Sequence, residues 1–112
     1  MQDKMIEKLD SEIRALQRSL AQIGPMRPGT LSEQYHHPAQ KQGGYWQLSY
    51  TFHQRSHTEH VRPEELAEVR AQVEQYQQFK QLCARWIDLA LKRARRQRQL
   101  SRRKPRPSVP AK

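Results

Sequence analysis

The sequence contains a single cysteine, Cys83, so no disulfide can close within the chain. It has four glycines and no glycine-rich phosphate loop, nucleophile elbow or zinc-protease pattern. No apolar run approaches the roughly 20 residues that span a bilayer. Hydrophobic residues make up 35% of the 112 positions and mean hydropathy is −1.09. One small domain is the ceiling at this length, and a large self-sufficient core is excluded. A chain this polar folds by elongated helix packing, by oligomerising or by docking on a partner. Met1-Gln2-Asp3-Lys4 leads into a charged amphipathic segment, which is no secretory signal. Together these absences predict a soluble, cytoplasmic protein, associated with the nucleoid or with ribonucleoprotein.

Acid is missing where charge is densest. The formal net charge is +10, with 21 Lys and Arg against 11 Asp and Glu. Residues 92–112 hold ten of the bases and no acid, so residues 1–91 are neutral overall. The chain divides into a body, 1–91, and a basic arm with a Pro-rich tail, 92–112.

Along the body, Ile6, Leu9, Ile13, Leu16, Leu20 and Ile23 follow a 3,4,3,4,3 spacing, which predicts a helix over 3–23 with a coiled-coil seam. Gly24 is expected as a left-handed C′ residue, and Pro25 blocks continuation. Residues 24–44 read as a turn-rich connector, with one short strand over Gly29–Tyr35 and Leu31 facing inward. Trp46, Leu48, Tyr50 and Phe52 alternate with Tyr45, Gln47, Ser49 and Thr51, which predicts a strand over 45–53. A turn at His53–Ser56 and a returning strand at His57–Val61 complete a hairpin. Alone it would be marginal, so its aromatic face must lie against a helix. Pro63 opens a second helix whose apolar positions run from Leu66 to Ala90. Pro105, Pro107 and Pro110 end any helix and leave a loose tail.

The fold class expected is α+β: two long antiparallel helices with a small antiparallel hairpin or sheet between them, then a basic helical arm and a disordered tail. Helix one is expected on the first half of helix two, with the aromatic strand face over the same stripe. Self-association of the N-terminal heptads is the rival use of the seam.

The arm carries the strongest functional signal. Lys92, Arg93, Arg95, Arg96, Arg98, Arg102, Arg103, Lys104 and Arg106 lie among good helix formers, and arginine dominates. Arginine binds phosphate bidentately and stacks on bases. Charges on nearly all sides predict a helix that frays when free and orders on nucleic acid. The bland alternative is a solubilising tail that complements the helix dipole. A membrane surface would need an apolar face, and residues 92–106 offer only Ala94 and Leu100. Arg62, Arg55 and Lys41 add cations at the hairpin end, far from the arm on a straight helix. Trp46, Tyr50 and Phe52 read as core, whereas Tyr45 on the other face is free to bind, beside Gln47 and Ser49. Zinc wants four placed ligands, usually with cysteine, and the histidines with a mid-helix Cys83 supply no such set. No metal and no cofactor is expected.

Gly29-Thr30-Leu31, Gly44-Tyr45-Trp46-Gln47-Leu48-Ser49-Tyr50, His60-Val61-Arg62-Pro63-Glu64-Glu65-Leu66 and Tyr76 through Leu82 resemble a family of short uncharacterised bacterial proteins. Its members are often encoded beside transposases or other mobile elements. The resemblance covers residues 24–90. Many members carry clustered cysteines in the connector, where this chain has His36-His37-Pro38-Ala39-Gln40-Lys41-Gln42-Gly43, so no metal role transfers. The resemblance implies a mobile-element accessory role and supplies no catalytic residue. The expected function is therefore a non-enzymatic protein that binds RNA or DNA. The alternatives are an adaptor docking on a larger enzyme such as a transposase or nuclease, and, last, a metal-dependent enzyme using the histidines.

Overall fold

The computed structural model describes residues 3–103. Lys104, Arg106 and the Pro-rich tail lie outside the described residues, as does the side chain of Arg103. The protein is α+β. Helix α1 spans Lys4–Ala21, strands β1, β2 and β3 span Thr30–His37, Gln42–Phe52 and Arg55–Val61, and a 3-10 turn at Pro63–Glu65 leads into the long helix α2, Leu66–Arg103. The chain forms two compact units. One joins residues 3–22 to residues 81–103, and the other is residues 23–80.

In the sheet unit the three strands form an antiparallel sheet in the order β1-β2-β3. Leu31 stands opposite Leu48, and Val61 opposite Trp46. Paired residues share a face, so Leu31, Trp46, Leu48, Tyr50 and Val61 all point one way. That face packs on α2: Leu48, Val61 and Val69 form the buried core, with Leu31, Trp46, Tyr50, Leu66 and Val73 against it. Arg70 lies over the Trp46 ring, its Cζ 5.1 Å from the centroid, and closes that side with a cation–π contact. The connector is pinned to α2 by two bonds: Gly24 N–H donates to Gln75 Oε1 (2.8 Å) and Arg27 N–H to the Gln72 carbonyl (3.1 Å).

Gly29 has φ +135°, and a Cβ there would meet the Leu48 side chain at 2.8 Å and the Ser49 carbonyl at 2.9 Å. Glycine thus lets the chain enter β1 directly against the most buried core residue. The β2–β3 connection has two residues, His53 (φ 51°) and Gln54 (φ 64°), between the paired Phe52 and Arg55. This is type I′ geometry, which favours Asn-Gly and disfavours larger side chains. The double change His53→Asn with Gln54→Gly is therefore expected to stabilise the protein by about 1 kcal/mol and raise Tm by roughly 4–8 °C. Thermal denaturation checks this, and an unchanged Tm would contradict the assigned turn.

In the helical unit, Asp3 caps α1: its Oδ1 accepts from Ile6 N–H at 3.1 Å. Leu9 on α1 and Leu89 on α2 are buried, while Ile6, Ile13, Leu16 and Leu20 of the seam are half-buried. Asp10 pairs with Arg93 and Asp3 with Arg96, so the two segments run antiparallel.

Four expectations are corrected. Helix α1 docks on the second part of α2, not the first. The first part has its apolar residues Leu66, Val69 and Val73 covered by the sheet, and its flank carries Glu68 and Glu74, whereas the second offers Arg93 and Arg96 to Asp10 and Asp3. The sheet and α1 accordingly use different stretches of α2. Gly24 is no left-handed cap: α1 ends at Ala21, Gln22 is the C-cap in the right-handed region, and the Gly24 amide is bound to Gln75. Phe52 is 58% exposed, because it stands next to the turn at the end of β2, opposite Arg55. Ile23, the last seam position, is half-buried within the sheet unit.

Candidate nucleic-acid interface

Helix α2 runs unbroken through Leu91 and Lys92 to Arg103. The arm is helical as far as it is described, as expected, and α1 meets it. Arg93 donates from Nε to Asp10 Oδ1 (2.5 Å) and from Nη2 to Asp10 Oδ2 (3.4 Å). Arg96 donates from Nη2 to Asp3 Oδ2 (2.8 Å) and from Nε to Asp3 Oδ1 (3.3 Å). Two of the most central arginines are neutralised by bidentate pairs within the chain. The buried and half-buried positions of this stretch of α2 show why. Leu82, Trp86, Leu89, Arg93, Arg96 and Leu100 keep a 4,3,4,3,4 spacing, so two arginines take consecutive positions of an otherwise apolar seam. The acids on α1 meet them there.

The hydrogen bonds from Arg96 hold the Asp3 carboxyl below its ordinary value, and those from Arg93 do the same for Asp10. Both guanidiniums are raised in turn by these bonds. A carboxylate with a depressed folded pKa contributes stability above its unfolded value, near 3.9, and loses it as pH falls through the folded value. The docking of α1 should therefore weaken below about pH 4. Far-ultraviolet circular dichroism followed against pH in the native chain and in Asp3→Asn/Asp10→Asn would check this. The variant should lack the acid-dependent step, and an identical titration would show that the pairs contribute nothing.

Lys92, Arg95, Arg98 and Arg102 of the described arm are exposed. Lys92 Nζ lies 3.1 Å from Asp88, which Arg85 also approaches at 3.8 Å. Both pairs are more than half exposed, and such pairs hold side chains weakly. Among the described residues no acid pairs with Arg95, Arg98 or Arg102. Between α1 and α2 lies a groove of 540 Å³ with Met5, Leu9 and Leu89 among its lining. Lys8, Arg85, Lys92, Arg95 and Arg96 line it as well, against one acid, Glu12. Lys8 and Arg85 escape a reading of the sequence, since both lie outside the basic run. The signal for Arg85 is its heptad spacing to Lys92 and Gln99. Lys8 joins only through the register of the docked helices.

The sheet unit carries the other candidates. Residues 23–80 hold six bases, six acids and all five histidines. Lys41 sits in the β1–β2 turn with φ 53°, Arg55 opens β3, and Arg62 lies 3.9 Å from Glu65. Tyr45 is on the face of the sheet turned away from the core, as its alternation with Trp46 predicts. Its ring is not open, however. His36 stacks on it at 4.7 Å and His60 lies at 5.9 Å, both at 30°. On the core side, Tyr50 Oη donates to Glu59 Oε1 (3.0 Å), which raises the phenol above its usual value, and Arg27 approaches the same carboxylate at 3.7 Å.

Among the described residues no three His, Cys, Asp or Glu side chains are grouped to hold a metal, and no helix is long and apolar enough to cross a membrane. Comparison of the chain with protein-family models, curated proteins and solved structures finds no match.

Proposed function

We propose that this protein is a non-enzymatic nucleic-acid-binding accessory factor, of the kind a mobile-element nucleoprotein would use. The single observation that carries the reading is the uncompensated cationic surface of the helical unit. Arg95, Arg98 and Arg102 have no acidic partner among the described residues, and Lys8, Arg85, Lys92 and Arg95 line one groove. In this reading Arg93 and Arg96 hold α1 in place, and the phosphates meet the others. A helix stiffened this way presents its charges before the ligand arrives, which lowers the ordering cost of binding. The salt dependence of affinity tests it. Binding to mixed-sequence DNA or RNA should fall about tenfold or more per few-fold rise in salt, as several released counterions require. A flat salt response would rule the reading out.

A protein–protein adaptor is the second reading, and one observation favours it. Ile87 (62% exposed) and Leu91 (51%) lie one helical turn apart on α2, with exposed Ala90 and Ala94 beside them. The N-terminal seam, by contrast, is already used against α2 within one chain. Ile87→Ser/Leu91→Ser should abolish partner capture or self-association without unfolding the helices. Capture that persists in this variant argues against the adaptor.

A further inference from the structure

The outer face of the sheet has a composition unlike the rest of the surface. Every outward position on β1, β2 and β3 is Ser, Thr, Gln, His, Tyr or Gly, and none is Asp, Glu, Lys or Arg. The acids of the strands, Glu33 and Glu59, stand opposite Trp46 and Leu48 and so belong to the core side. Toward the β1–β2 turn end of the outer face, His36, Tyr45 and His60 form a row of rings across all three strands. Gly43 makes the row possible: with φ +69° it lies under His36, and a Cβ there would press on that imidazole at 3.1 Å.

We infer that this face reads base edges in the major groove of duplex DNA, which deepens the nucleic-acid reading above and rests on it. The ring row decides between stacking and edge recognition. An unpaired base needs a free aromatic face, and His36 already stacks on Tyr45 with His60 tilted beside it. The row's phenol and imidazole groups are polar and can hydrogen-bond base edges. Beside the row stand the amides of Gln34 and Gln47 and the hydroxyl of Ser49. Gln34 Nε2 is oriented by Ser32 Oγ at 3.1 Å. Glutamine pairs bidentately with adenine in the major groove, and serine hydroxyls accept or donate to any base. β-ribbons and sheets can present strand side chains to the major groove of B-form DNA. The deep, narrow major groove of duplex RNA does not admit such a face. Lys41 lies in the β1–β2 turn, at one end of β2, where a groove-flanking phosphate would run. An uncharged face with a cation at its end complements a groove floor bounded by phosphate.

Selection from a random duplex library by the full chain tests this, followed by anisotropy titration of the enriched duplex against a scrambled one. The native chain should prefer the enriched duplex by tenfold or more. Gln34→Ala and Gln47→Ala should each cut that ratio roughly 5- to 100-fold while affinity for the scrambled duplex stays within twofold. Gln47→Thr, which keeps a strand-favouring residue in the central strand, should do the same. No enriched duplex, a ratio untouched by all three variants, or tighter binding of single-stranded DNA or of duplex RNA of the same sequence would overturn the inference. Arg95→Gln/Arg98→Gln/Arg102→Gln should weaken enriched and scrambled duplexes alike. If it weakens neither while the glutamine variants still lose selectivity, the helical phosphate reading fails and the sheet face stands.

Discussion

Leu48→Ala is expected to unfold the sheet unit. Leu48 is fully inaccessible, and only Val61 and Val69 share the buried core with it. Truncating a buried leucine costs about 2–5 kcal/mol, from lost transfer energy plus the cavity left behind. The upper part of that range applies where the surroundings cannot collapse. Here they cannot, because the central strand is held on both sides by β1 and β3. A unit this small has about 5 kcal/mol in reserve at most. Trp46 in the sheet unit and Trp86 in the helical unit make the two transitions separable, provided single-tryptophan backgrounds are used. In a Trp86→Phe background, denaturant titration followed by Trp46 fluorescence should show the Leu48→Ala transition shifted to low denaturant or absent. Ser49→Ala, one residue away and pointing outward, should move the midpoint by no more than about 0.5 kcal/mol. A loss below about 1 kcal/mol for Leu48→Ala would mean that the buried trio is not what holds this unit.

The same core shows why most of the sheet was legible in the sequence. Strand periodicity is two, so the alternation from Tyr45 to Phe52 fixes which side chains face inward before any partner is known. Leu31 and Val61 then follow as the apolar residues that must flank Leu48. Pro63 marks the helix start, since a proline at that place loses no hydrogen bond. Phe52 breaks the pattern because alternation assigns a face without saying how far the covering helix reaches. The left-handed pair at His53 and Gln54 was hidden because neither residue advertises positive φ.

Helix pairing was less legible, for a physical reason. A 3,4 spacing defines a seam, but a seam has no address: Leu9 and Leu16 would pack equally well on Leu66–Val73 or on Leu82–Leu89. The address is electrostatic. Asp3 and Asp10 sit one heptad apart beside the α1 seam, and Arg93 and Arg96 occupy the α2 seam between Leu89 and Leu100. Reading residues 92–103 as one block of like charge concealed this, because the block holds two populations. Arg93 and Arg96 are held by carboxylates, while Arg95, Arg98 and Arg102 have no acidic partner among the described residues. The outer sheet face was half legible. Tyr45 was placed correctly, but no one-strand pattern could show that His36 and His60, from two other strands, cover its ring.

That division of the arginines makes the second large effect specific. Removing the chain after Leu91 would also delete the partners of Asp3 and Asp10, so lost binding in that variant would mix unfolding with lost contacts. Arg95→Gln/Arg98→Gln/Arg102→Gln leaves both docking pairs intact and keeps good helix formers at each position. Its circular dichroism should match the native chain. Each phosphate contact contributes about 0.9 to the slope of log affinity against log salt on duplex DNA. Loss of three should flatten that slope by about 2.7 and weaken binding on the order of 10²–10³-fold near 0.1 M salt. Arg93→Gln/Arg96→Gln should behave differently. It should lower helical stability and free α1, with a smaller change in slope than three contacts give, because those guanidiniums are already occupied by carboxylates. If instead the Arg93/Arg96 variant flattens the slope by more than the Arg95/Arg98/Arg102 variant, the bidentate pairs open on binding. The ligand would then displace α1, and the phosphate site would be the seam itself rather than its outer flank.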